Sequence, residues 1–157
     1  MQVTLAHIGA RFSASDPSQS LTALYLERCS NMLRTSNQAS QGQAFKDQAF
    51  KTEDAFFTWL DGQKGRPPAV LLDSRGRSMT SEAFAAWIGA RRDESVQHIV
   101  FAIGPASGWS PAALSRARLL LSLGSFTLAH ALARIVLAEQ LYRACTILTG
   151  HPYHAGH

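Results

Sequence analysis

The chain has 157 residues, 46% hydrophobic and 17% charged, values that exclude a disordered or fibrous protein and suit one domain over 1–157. Its formal net charge is +4, and twelve of its fifteen basic residues are arginine, the side chain suited to bidentate phosphate contact. Cys29 and Cys145 form no paired motif and read as free buried thiols in a reducing compartment.

The opening MQVTLAHIGARF lacks a basic head followed by a long apolar core, so no signal peptide is expected and the expected location is cytoplasmic. Its Gln2–Ile8 portion is rich in β-formers and predicts a strand. A helix is expected over Leu21–Leu33. The stretch Thr35–Gln43 is polar and unpatterned, a loop or a weakly specified strand, and the QAFKDQAFK echo after it is too short for a repeat. Further on come an expected helix over Asp47–Leu60, a strand over Ala69–Asp73, a helix over Ser81–Arg91 and a strand over His98–Ile103. Ser110 and Pro111 then suit the N-cap and first position of a fourth helix. A fifth is expected from an N-cap at Thr127 to about Leu148. Strand alternating with helix predicts an α/β fold, mainly parallel, with helices on both faces of the sheet.

Leu128–Leu148 has the length of a membrane span, but His130, Arg134, Glu139, Gln140 and Arg143 interrupt it, which argues against one. His130 and Arg134 share one helical face, and Glu139 and Arg143 lie roughly opposite. Neither face is a continuous solvent stripe, so this helix is expected to be covered at a subunit interface. Beyond it, GHPYHAGH holds Tyr153 and three of the six histidines, His151, His154 and His157. No carboxylate or cysteine stands beside them, so no metal site is expected.

In an open α/β sheet, ligands bind beyond the carboxyl ends of the strands. The segments LLDSRGRSM (71–79), IGPASGW (103–109) and LSLGSFTL (121–128) are expected to converge there, with Gly or Ser where backbone must bend or approach a ligand. A Rossmann fingerprint, P-loop, GxSxG elbow, HExxH and CxxC are all missing.

Residues 98–154 carry Ile103-Gly104, Ser122-Leu123-Gly124, Thr127-Leu128-Ala129-His130, Arg134, Glu139 to Ala144, and Pro152-Tyr153-His154. In this order and spacing they resemble the ribosomal large-subunit pseudouridine methyltransferase family, a small branch of the SPOUT, or α/β-knot, methyltransferases. The match is dense over Leu71–Asp73 and His98–His154 and weak over Arg11–Pro68. The resemblance implies a C-terminal trefoil knot over about 70–154 and a homodimer packed on the last helix. It implies S-adenosyl-L-methionine held at Leu72, Gly104 and the turn Leu123, Gly124, Ser125, Phe126, Thr127 and Leu128. The implied reaction is methylation at N3 of a pseudouridine in 23S rRNA of the assembled ribosome, at the position-1915 type of site. His154, then His130, are the candidate bases. Arg75, Arg77 and Arg143 are candidate phosphate contacts, Tyr153 a candidate base-stacking ring, and His154 a further RNA contact.

Two departures matter. The family loop commonly reads Gly-Gly-Pro-Glu-Gly or Gly-Gly-Ala-Asp-Gly, whereas this chain has Gly104-Pro105-Ala106-Ser107-Gly108; and Ala129 replaces the proline before His130. These leave open a catalytically silent dimeric relative that binds RNA or ribosomes. A nucleotide-binding α/β protein of another reaction type is the remoter alternative.

Overall fold

The computed structural model describes residues 1–36 and 44–156, so all of Thr35–Gln43 beyond Ser36 lies outside the described residues, as does His157. The chain runs β1 (Gln2–Ile8), α1 (Pro17–Ser36), β2 (Phe45–Phe50), α2 (Glu53–Asp61), β3 (Ala69–Ser78), α3 (Ser81–Asp93), β4 (His98–Ile103), α4 (Pro111–Arg116), β5 (Leu119–Ser122), α5 (His130–Thr149) and a 3-10 turn (Pro152–Gly156). The five strands form one sheet in the order β2-β1-β4-β3-β5, and every pairing is parallel. The predicted α/β class and the boundaries of β1 and β4 match this fold.

Side-chain alternation divides the core into two layers. Val3, Leu5, Ile99 and Phe101 face one side, with α1, α3 and α5 supplying Leu26, Phe84, Leu137 and Leu141. Ala6, Ile8, Val100 and Ala102 face the other, against Phe56, Phe57 and Leu60 of α2, together with Trp109 and Ala113.

Local chemistry fixes three helix starts. Thr52, Thr80 and Ser110 each accept the backbone N–H three residues on, at 3.1 Å, and Pro111 follows Ser110 directly. Four sequence expectations are corrected. The helix expected over Asp47–Leu60 is a strand and then a shorter helix, because Thr52 caps α2 and its predecessors pair with β1. The helix expected over Leu21–Leu33 starts earlier, at Pro17, where the Asp16 carboxylate accepts the Ser18 N–H at 2.8 Å. β3 is twice the expected length, and β5 was not expected. The last helix begins at His130 with Ala129 as N-cap and no side-chain cap, leaving Thr127 outside it.

The switch in strand order lies between β1 and β4, whose chains leave the sheet through Gly9 and Gly104. β3 pairs with β5 in two registers separated by an excursion: Leu72 faces Leu121, and so does Arg77. At Gly76 a Cβ would stand 2.6 Å from the Leu120 carbonyl carbon, so only glycine lets the returning strand lie this close.

Candidate functional site

Three predicted ligand segments do converge at the carboxyl edge of the sheet. Leu72 pairs with Ile103, the residue before Gly104, and with Leu121, just before the Ser122–Leu128 turn. Trp109 ties them together. Its indole Nε1 donates to the Leu72 carbonyl at 3.0 Å, and its ring lies so close to Gly104 that a Cβ there would stand 2.7 Å from Cε2. Sequence reading missed Trp109, although its place at the end of the IGPASGW loop marked it.

The turn after β5 is set by Ser122, whose Oγ accepts the Gly124 N–H at 3.2 Å and donates to the Gly124 carbonyl at 3.0 Å. Gly124 has φ 128°, a left-handed conformation that suits glycine. Leu123 and Leu128 pack on the core, Ser125 and Thr127 are exposed, and Phe126 is 89% exposed. Leu123 and Gly124 also line a cavity of about 340 Å³ with Met79, Ser81, Phe84 and Gln140. Backbone groups and small side chains dominate this edge, chemistry suited to a ligand recognised through amide contacts and an apolar slot.

Beside it lies a polar cluster that sequence reading did not assemble. Arg134, wholly buried on α5, pairs with Asp47 of β2 and donates to Gln19 Oε1 at 2.9 Å. His7, at the end of β1, holds Nε2 3.5 Å from Asp47 Oδ1 and Nδ1 3.2 Å from the Ala10 carbonyl. The Arg134 guanidinium lies 4.3 Å from the Phe12 ring centroid, and His130 meets both His7 and Phe12 at 6.0 Å. Burial pushes the Asp47 carboxyl up, but the His7 contact and the Arg134 charge outweigh it and hold it below the usual carboxylate range. Burial, then the neighbouring His7 and Arg134 charges, pulls the His130 imidazole down. His130 is thus a neutral base at neutral pH, and its Nε2 is buried without a hydrogen-bond partner.

The predicted RNA contacts fall in two places. Arg75 and Arg77 sit on the β3 excursion. Arg75 is 73% exposed but bound to Asp73, through Nε at 3.0 Å and Nη2 at 2.9 Å, while Arg77 is exposed. Arg143, Tyr153 and His154 lie instead toward the other end of α5, with Arg143 about 20 Å from His130 along the helix at about 1.5 Å per residue. There Gly150 ends the helix in the left-handed conformation, with φ 70°. The chain folds back, so the Tyr153 ring meets Tyr142 at 4.7 Å and Arg143 at 5.1 Å, and its hydroxyl donates to Glu139 Oε1 at 3.2 Å. Arg143 donates to the same carboxylate oxygen at 2.5 Å. Burial, with Glu139 alongside, pushes the Tyr153 hydroxyl up to about 12. His154 is half-buried, with Nδ1 lacking a partner. Within one chain, then, the cofactor candidates and His130 come together, and the tail group does not join them.

The family model described as "Predicted SPOUT methyltransferase" matches residues 1–154. The chain belongs to the SPOUT methyltransferase family. Among its relatives, the ribosomal RNA large subunit methyltransferase H of Koribacter versatilis is 45% identical over 141 residues, 88% of this chain and 89% of the relative. The protein of the same name from Brucella ovis is 53% identical over 90 residues, 57% of this chain and 53% of the relative. A solved SPOUT-type fold, the SpoU methyltransferase AviRb from Streptomyces viridochromogenes in complex with AdoMet, superposes with a TM-score of 0.50 at 12% identity, covering 94% of this chain and 58% of that one. The match supports the fold alone. Among the described residues no helix is long and apolar enough to cross a membrane, and no group of three or more His, Cys, Asp or Glu is placed to hold a metal ion.

Proposed function

We propose that this protein is an S-adenosylmethionine-dependent methyltransferase of large-subunit rRNA, acting at N3 of a pseudouridine in the assembled ribosome. The observation that carries the reading is the convergence of Leu72, Gly104 and the Ser122–Leu128 turn at one sheet edge, with Trp109 locking the first two. The fit is chemical: exposed loop backbone, glycines at close approaches and an apolar lining, in a chain whose 45%-identical relative is named a ribosomal RNA methyltransferase. The cofactor, when bound, supplies an electrophilic sulfonium methyl. Leu72, Gly104 and Leu123 to Leu128 would hold it, largely through main-chain amides and carbonyls.

At the uracil imide, N3 must give up its proton as its electron pair forms the new N–C bond, and the carbon–sulfur bonding pair returns to sulfur. His130, neutral and with a free Nε2, is the in-chain acceptor for that proton. Holding imide and methyl in line contributes through proximity, and a positioned base typically contributes ~10²–10⁴-fold.

The tail enters from a second copy. Tyr153 packs on Glu139, Tyr142 and Arg143, about 14–20 Å along α5 from His130, so in this reading the tail serves the cleft of a second chain, two α5 helices packing in opposite directions as a homodimer. The stripe formed by the exposed Leu132 and the half-buried Val136, Gln140, Arg143 and Ile147 is the face available for that packing, continued by the exposed Phe126. A trefoil knot over about 70–154 is part of the same reading.

The deciding experiment is transfer of labelled methyl to ribosomes from a strain lacking the modification, with calorimetry against S-adenosylmethionine. Transfer to one pseudouridine supports the reading. Cofactor binding without transfer, or ribosome binding without cofactor, favours the silent relative suggested by Pro105 and Ser107.

A further inference from the structure

At the opposite edge of the sheet lies a cavity of about 700 Å³ that the cofactor reading leaves unused. It is lined by Arg66, Arg91, Arg116 and Arg118, drawn from the loop before β3, from α3, from α4 and from the turn into β5, against only two carboxylates, Asp61 and Glu94. Both carboxylates are committed. Glu94 accepts from Arg91 Nη2 at 2.7 Å, and Asp61 pairs with Arg116. Arg91 and Arg116 also close their own helices, where a cation suits the carbonyl end, and they stack on Trp87 and Phe57. Arg66 and Arg118 have neither excuse: both are exposed cations with no side-chain partner among the described residues. Arg118 is fixed by its backbone N–H, which donates to the Ala69 carbonyl at 2.8 Å. Arg66 sits in the left-handed region, with φ 47°, immediately before Pro67. The Nε of Arg91 is buried in the wall without a partner.

We propose that this arginine pocket is a second rRNA contact, binding backbone phosphates through Arg66 and Arg118. It rests on the reading of the protein as an rRNA-modifying enzyme. Guanidinium forks held at the rim of a concave wall match phosphate oxygens, and such contacts position RNA without reading its sequence. The placement also suits the dimer. Leu148, near the end of α5, packs on Gly89 in the second half of α3, so the tail lies toward the same sheet edge as this pocket. If one chain's tail serves its partner's cleft, its arginine pocket faces the same way as that cleft, and RNA leaving the cleft runs across it.

The test uses the full chain and purified large ribosomal subunits. Arg66→Gln with Arg118→Gln is compared with a charge-matched control, Arg34→Gln with Arg92→Gln, both pairs being checked for an unchanged melting midpoint. The pocket pair should bind subunits about tenfold more weakly at moderate salt, with the slope of log affinity against log salt shallower by about one to two. Its KM for ribosomes should rise with kcat and S-adenosylmethionine affinity unchanged. Affinity and slope equal to wild type, or equal to the control pair, overturn the proposal, as does pyrophosphate binding in the pocket with subunit binding unaffected by the double change. Failure of the wild type itself to bind subunits would count against the enzymatic reading instead.

Discussion

Gly104 shows how one residue serves both fold and site. A side chain there meets the Trp109 indole, which is buried against Phe56 and Phe57 and holds the Leu72 carbonyl. A valine chosen to block the ligand would therefore also disturb the core. Gly104→Ala should cost about 1–3 kcal/mol in denaturant unfolding, the usual range for overpacking, and weaken S-adenosylmethionine binding in calorimetry. An unchanged midpoint would show that Trp109 moves aside freely. Asp47 argues the same way from charge. Removing one partner of a buried ion pair typically costs ~3–5 kcal/mol, because the other charge is left uncompensated. Arg134 is wholly buried, so Asp47→Ala should approach that range in equilibrium unfolding, while Asp61→Ala at the exposed Arg116 pair should cost ~1 kcal/mol or less.

The elements that were legible in the sequence are those whose reasons are local. β4 is apolar throughout after His98, β1 is rich in β-formers and buried from Val3 to Ile8, as central parallel strands should be, and α4 announces itself through Ser110-Pro111. β2 reads FKDQAF, with three polar residues in six; its stabilising contact is Asp47 to an arginine 87 positions later, which no local window contains. The cofactor segments were visible because glycine and serine mark them, whereas the His7–Asp47–Arg134–His130 cluster was not, being assembled from three elements. The apolar character of α5 also has a plainer cause than expected. Leu137 and Leu141 are 0% and 1% exposed within their own chain, packed under α1 and α3. A charge at either would unfold the protomer rather than separate a dimer. The informative substitutions are on the half-exposed face: Leu132→Glu with Phe126→Ser should leave the melting midpoint close to wild type and convert a dimer mass to a monomer mass in light scattering. A dimer that survives both changes would remove this face from the interface.

For the whole molecule, acid should act in two steps. The His130 and His98 imidazoles are lowered, chiefly by burial, so the unfolded chain takes up protons that the folded one refuses. Their contribution is complete above the unfolded value of about 6.5 and is lost as pH falls through and below it. Asp47 and Asp73 are lowered too. For Asp47 the His7 contact and Arg134 charge overcome the upward push of burial, and for Asp73 the Arg75 hydrogen bond leads. Their contribution is present above about pH 4 and is lost as pH falls through the folded values. The thermal midpoint should therefore decline gently from pH 7 to pH 5 and steeply below pH 4. Because burial leads the lowering of His130, replacing it with glutamine should flatten part of the upper limb, His98 carrying the rest, and leave the lower part alone. The same variant separates stability from chemistry. If His130 accepts the imide proton, methyl transfer to ribosomes should fall by ~10²-fold or more, with S-adenosylmethionine affinity near wild type. If transfer is retained while the upper limb flattens, His130 is a buried structural histidine and the base must come from the partner's tail, where His154→Gln should then carry the loss.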